Sequence, residues 1–139
     1  LRPKGQVKRV FVDTGGWYAY VRADDPDHEA VAEALRRWEG RLVTSNFVFD
    51  EAVTLVQARL GHRHALVVGK RLRDPGSVDL IRATSQDEDD AWRFFARHAD
   101  KGYSFTDCVS FAMMRRIGIE VSVTTDRQFV QAGFRTEPA

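Results

Sequence analysis

Cysteine is almost missing from this 139-residue chain, and the one present, Cys108, can neither close an intramolecular disulfide nor build a multi-cysteine zinc site. That usage suits a reducing compartment. An excess of charge is missing too. The 21 basic and 20 acidic residues leave a formal +1, so the global balance names no partner and any nucleic-acid surface must come from local distribution. No apolar run is long enough to span a membrane, and the basic stretch from Leu1 to Arg9 lacks the apolar core of a secretion signal. A cytoplasmic protein without membrane association is expected. There is no Gly-x-Ser-x-Gly elbow, which argues against a serine hydrolase, and no Walker or Rossmann phosphate loop. The histidines offer no metal-site spacing: His62 and His64 would diverge on a helix, and His28 and His98 stand alone.

What is present describes a globular domain, with 43% hydrophobic and 29% charged residues. The length suits one domain over 1–139, with 1–6 and 137–139 as loose ends. The apolar run Val7 to Asp13 reads as a first strand that breaks at Gly15-Gly16 into a turn, followed by a short helical stretch from Trp17 to Val21. Asp25-Pro26 reads as a helix start, with Ala30, Val31, Ala34, Leu35 and Trp38 at helical spacing. Arg41 to Thr44 is a brief strand, and Ser45 or Asn46 caps a helix through Leu60. Gly61 separates it from a second helix, His62 to Leu72. After the Asp74-Pro75-Gly76 turn comes a strand, Val78 to Ile81. Ser85 to Glu88 then fits a capping box for a helix reaching His98. Ser104 to Asp107 fits another, opening a helix to Ile117. Ile119 to Val123, Asp126 to Gln131 and Phe134 to Thr136 complete the chain as strand, short helix and edge strand. Strands alternating with helices imply an α/β fold whose mostly parallel sheet is covered on both faces.

Four carboxylates fall at strand-to-helix junctions or one turn into a helix: Asp13, Glu51, Asp107 and Asp126. In a parallel α/β sheet such junctions converge on one edge, where ligands bind. Each has an ordinary explanation beside the functional one. Asp13 suits an Asx-turn. Asp107 suits the third position of its capping box, and Asp126 the first turn of a helix. Glu51 is harder to dismiss, because it shares a helix side with Phe47, Val48 and Leu55, where an unpaired charge is costly. The run Asp87 to Asp90 reads as a solvated first helical turn.

Taken in order, these segments resemble the PIN-domain nucleases and, among them, the VapC-like toxins of toxin–antitoxin modules. The resemblance runs from Val10 to Phe134. It rests on Val-Phe-Val-Asp13-Thr14, on Thr44-Ser45-Asn46 leading to Glu51, and on Ser104-Phe105-Thr106-Asp107. Thr124-Thr125-Asp126-Arg127 and Gln131-Ala-Gly133-Phe134 complete it. Gly15-Gly16 departs from the Ser or Asn frequent after the Asp-Thr pair, and Thr125 stands where Phe is frequent.

The resemblance implies a three-layer α/β/α fold with a central sheet of about five strands and the four acids clustered at one edge. It implies Mg²⁺- or Mn²⁺-dependent hydrolysis of RNA, with Asp13, Asp107 and Asp126 as metal ligands and Glu51 completing the cluster or orienting water. Thr14 and Ser104 are expected to support that set. A small antitoxin and a homodimer are the implied protein partners. For holding RNA, the acid-free segment containing Arg59, Arg63, Lys70 and Arg71 is the first candidate; a solvated helix face is its ordinary explanation. Arg22, Lys101, Arg115, Arg116 and Arg127 are further cations, and Trp17, Tyr18 and Tyr20 are aromatics suited to stacking on bases or to the core. Two alternatives stay open: a housekeeping RNA-processing nuclease, and a non-catalytic module binding RNA or protein. A receiver-type phosphoacceptor is more distant, since its acidic pair and lysine have no match.

Overall fold

The computed structural model describes residues 8–139, so Val7 of the expected first strand and the loose end 1–6 lie outside it. Five strands, β1 (Val10–Val12), β2 (Leu42–Ser45), β3 (Asp79–Ile81), β4 (Val121–Val123) and β5 (Arg135–Glu137), form one sheet in the order β3-β2-β1-β4-β5. Every pairing is parallel, a stricter outcome than the mostly parallel sheet expected. The helices are α1 (Thr14–Val21), α2 (His28–Arg37), α3 (Asn46–Leu60), α4 (His62–Leu72), α5 (Ser85–Arg97), α6 (Phe105–Ile117) and α7 (Gln128–Gln131), with a 3-10 turn at Ala99–Lys101. Among the described residues no helix is long and apolar enough to cross a membrane.

The short central strands are buried on both faces, β1 being wholly apolar while β2 and β4 carry the buried polar residues Thr44, Ser45 and Ser122. Val10, Phe11 and Val12 are fully buried, as are Val43 and Val123 on the neighbouring strands. On one side of the core, Phe111 of α6 packs edge-on against Phe129 and Tyr103 and stacks on Phe134. From β1 the chain moves outward through β2 to β3, and then returns to the other side of β1 for β4 and β5. The order therefore reverses between β1 and β4, and the crevice at that reversal is where open α/β sheets bind ligands.

Four local expectations shift. Gly15 and Gly16 are not a turn; they lie inside α1, which begins at Thr14. A Cβ on Gly16 would sit 2.6 Å from the Val123 carbonyl oxygen, and one on Gly15 would sit 2.7 Å from Thr125 Oγ1. The glycine pair thus lets α1 press against the end of β4, an approach that larger residues would block. The second helix starts at His28, not at Pro26, because Asp25 Oδ1 accepts the Asp27 N–H and holds a turn there. The capping box of α5 is Thr84/Asp87, one residue earlier than Ser85/Glu88. That register turns Asp87 inward to 1% exposure, where Arg116 meets it with two bonds of 2.8 and 2.9 Å, so Asp87 is not a solvated charge. At the C-terminus, Glu137 belongs to β5, not to a loose end, and its carboxylate accepts bonds from Arg37 and Trp38.

Candidate metal centre

Asp13 follows β1 and occupies the N-cap position of α1, yet its carboxylate makes no capping bond. The Asx-turn explanation therefore fails for it. Instead Oδ2 accepts a 3.0 Å bond from the Thr124 hydroxyl, while Oδ1 is buried without a hydrogen-bond partner among the described residues. Thr124 follows β4, and the same hydroxyl accepts the Asp126 backbone N–H at 2.9 Å. One threonine thus ties the strand-end carrying Asp13 to the loop carrying Asp126. Thr124 was not singled out from sequence, although it stands in the same Thr-Thr-Asp block; a hydroxyl beside an acid has too many other uses to signal this one.

Asp107 is held from its own helix. Ser104 Oγ accepts the Asp107 N–H and Asp107 Oδ2 accepts the Ser104 N–H, both at 3.0 Å. The capping explanation is thus correct, and it leaves Oδ1 of Asp107 outside the cap. Phe105, between the two, packs edge-on against Phe47, Trp92 and Phe95 and so anchors the start of α6. Asp126 precedes α7 instead of standing in its first turn, and its Oδ1 accepts the Gln128 N–H at 2.9 Å in an Asx-type turn that leaves one oxygen over.

The outcome is convergence. Asp13, Asp107 and Asp126 each place a carboxylate oxygen within 4.8 Å of the others. Glu51 is outside this trio but lines the same cleft of about 510 Å³, with Thr14, Gly15, Ser104 and Thr125. Glu51 is half-buried on α3. The electrostatics record the crowding. Burial first, then the charge of Asp107, push Asp13 up to about 7 despite the Thr124 bond. Burial, and then the charges of Asp126 and Glu51, push Asp107 up to about 6 against the pull of its Ser104 hydrogen bonds.

Can these residues take a divalent cation? The donors are all oxygens, the set that hard cations select. Asp13 Oδ1 and the buried Thr14 hydroxyl both lack hydrogen-bond partners within the described residues. Buried polar atoms normally find one, so two orphans at a carboxylate cluster fit an ion or its water shell. The donor set and the orphans agree.

The basic segment is not brought to this cleft: Arg59, Arg63, Lys70 and Arg71 do not line it. Arg71 donates to the Tyr20 hydroxyl at 2.6 Å and lies over the Tyr20 and Trp17 rings; Arg59 lies over Tyr18. Trp17 and Tyr18 are themselves buried, so their rings belong to the core and are not free to stack on bases.

Comparison with known proteins agrees with the geometry. The model of the PIN domain matches residues 10–135. The 23S rRNA-specific endonuclease VapC20 of Mycobacterium tuberculosis is 38% identical over 128 residues, covering 90% of this chain and 95% of its own. The crystal structure of Mycobacterium tuberculosis VapC20, described as a sarcin–ricin loop cleaving toxin, superposes with a TM-score of 0.85 at 35% identity, over 90% of this chain and 95% of that one. A DNA-bound VapBC structure from Salmonella typhimurium shares the fold with a TM-score of 0.71 at 18% identity, over 94% and 98% of the two chains.

Proposed function

The chain belongs to the PIN-domain family, and from that premise we propose that it is a divalent-metal-dependent endoribonuclease and the toxin of a toxin–antitoxin pair. The observation that carries this reading is the convergence of Asp13, Asp107 and Asp126, remote in sequence, around buried oxygens without partners. The relative described as a 23S rRNA-specific endonuclease favours structured ribosomal RNA as the substrate class. The solved relative described as a toxin favours a cognate antitoxin. A homodimer and a cytoplasmic setting complete the reading.

Asp13 and Asp107 would be the principal ligands of Mg²⁺ or Mn²⁺, with Asp126 assisting. When bound, the cation supplies Lewis-acid activation of water and of the scissile phosphate. Thr124 fixes Asp13, and the capping box fixes Asp107, so two carboxylates are oriented before anything binds. The Thr14 hydroxyl supports the set from the start of α1. Glu51 faces the cleft from α3 and orients the attacking water by accepting its hydrogen bond. With Asp13 and Asp107 both raised, cation binding would compete with protons at the cluster.

The test is cleavage of a sarcin–ricin stem-loop RNA by the wild type and by Asp13→Asn, with Mg²⁺, Mn²⁺ or EDTA. Cleavage that needs metal and Asp13 is expected. Undiminished cleavage in EDTA or by the variant would overturn the site. RNA binding without cleavage or metal affinity would instead identify a binding module.

A further inference from the structure

A second charged feature lies on the face formed by α5 and α6, away from the carboxylates. The two helices run antiparallel: Asp87 near the start of α5 meets Arg116 near the end of α6, and Phe95 meets Phe105 at the opposite end. Between them opens a groove of about 400 Å³ floored by Phe94, Cys108 and Ala112. Arg93 and Arg97 flank it from α5, Arg115 and Arg116 from α6, with Asp90 as its single acid. Arg93 pairs with Asp90, and Arg116 is neutralised by Asp87 behind it. Arg97 and Arg115 have no carboxylate partner among the described residues. Arg115 is held in place instead, donating to the Ala132 carbonyl and lying over Phe94 and Phe134.

Arginines in a last helical turn are ordinarily explained by the helix dipole. That accounts for Arg97 on α5 and for Arg115 and Arg116 on α6 taken singly. It does not account for Arg93, which lies a turn earlier, nor for four guanidiniums meeting along one groove in a chain whose net charge is only +1. Cys108 on the groove floor directly follows Asp107 of the carboxylate cluster. One end of the groove thus lies a single residue along α6 from Asp107, on another face of the same helix. We infer that this α5–α6 groove is a phosphodiester-binding subsite that holds the backbone of the RNA stem flanking the segment in the cleft. The inference rests on the proposed ribonuclease reading. Guanidinium forks match phosphate oxygens, and contacts of this kind set position and affinity without reading sequence.

The test compares Arg93→Glu/Arg97→Glu with the wild type; both side chains are exposed and neither supports the core. Binding to a fluorescein-labelled sarcin–ricin stem-loop and to a short single-stranded RNA of its loop sequence is titrated over a range of salt, in EDTA. The expected result is a stem-loop Kd raised about tenfold, a salt slope shallower by about 2, and unchanged affinity for the short strand. Unchanged affinity and slope for the stem-loop would overturn the subsite, whether or not the wild type cleaves. Equal losses on both RNAs would overturn its assignment to the stem. A melting shift of the wild type with inorganic phosphate that the variant lacks, alongside unaltered stem-loop binding, would overturn RNA as the ligand in favour of a free-phosphate site. The cleavage assay above is independent. A wild type that binds the stem-loop through Arg93 and Arg97 but does not cleave it would remove the nuclease reading and leave the groove.

Discussion

The helices α5 and α6 open with the same device and use it to opposite ends. In each, a hydroxyl residue caps the helix and an aspartate three residues on bonds back to the cap, Thr84 with Asp87 and Ser104 with Asp107. Both aspartates are buried, at 1% and 6% exposure. What differs is the neighbour on the free side of each carboxylate. Burial alone would raise Asp87, but the two-pronged Arg116 bond, helped by the Thr84 N–H and hydroxyl, pulls it below the ordinary carboxylate range. Asp107 meets Asp13, Asp126 and Glu51 and is pushed up to about 6. The cap sets where each carboxylate sits; the facing charge decides whether it is neutralised within the fold or left crowded among like charges. The motif carries no function by itself.

The largest expected effect is on Asp107. Asp107→Asn should cut cleavage by about two to three orders of magnitude and abolish metal binding by calorimetry. In EDTA it should melt at or above the wild type, since it removes a repelling charge and keeps the cap. A clear loss of metal-free stability would erase the contrast with Asp87. Next comes the other box. Arg116→Met leaves the Asp87 charge buried and should cost about 2 kcal/mol, scaled down because the Arg116 side chain is 42% exposed. Denaturant unfolding measures this.

Acidity separates the two boxes again. Asp13 and Asp107 bind protons more tightly folded than unfolded, so their contribution to metal-free stability falls as pH rises from about 4 to about 7. Asp87, with its lowered pKa, contributes above the ordinary carboxylate range and loses that contribution as pH falls through it. Melts in EDTA from about pH 5 to about pH 8 should therefore show a decline that Asp13→Asn flattens and that Mg²⁺ reverses. A decline of equal size in the variant would refute the assignment to the cluster. The smallest effect sharpens the contrast most. Thr84→Ala and Ser104→Ala should each cost about 1 kcal/mol, but only Ser104→Ala should weaken metal affinity, by about tenfold.

The sequence already carried most of the fold, because its punctuation was local: Gly61 and Gly118 do end helices, and Ser45 and Ser104 do cap them. The alternation of strands with helices announced a parallel sheet covered on both faces. The four acids converge on one cleft, as their junction positions suggested. Local chemistry did not show who faces whom. Thr84 and Ser85 are both able caps, and it is the buried Asp87, bonded to both Thr84 and Arg116, that marks the register taken. Gly15-Gly16 looks like a turn until the carbonyl of Val123 is seen against it. The role of Thr124 depends on a partner 111 residues away. The arginines of α5 and α6 are unremarkable on either helix alone and form a groove only where the two pack.

The strand order has a consequence for how the protein is made. β4 inserts beside β1, so the last carboxylate of the trio reaches the first only after nearly the whole described chain exists. Synthesis runs from the N-terminus, and a chain paused on the ribosome after α6 holds Asp13, Glu51 and Asp107 but lacks Thr124 and Asp126. A nascent chain with this topology cannot complete its carboxylate cluster until β4 and the loop that follows it have emerged and docked beside β1.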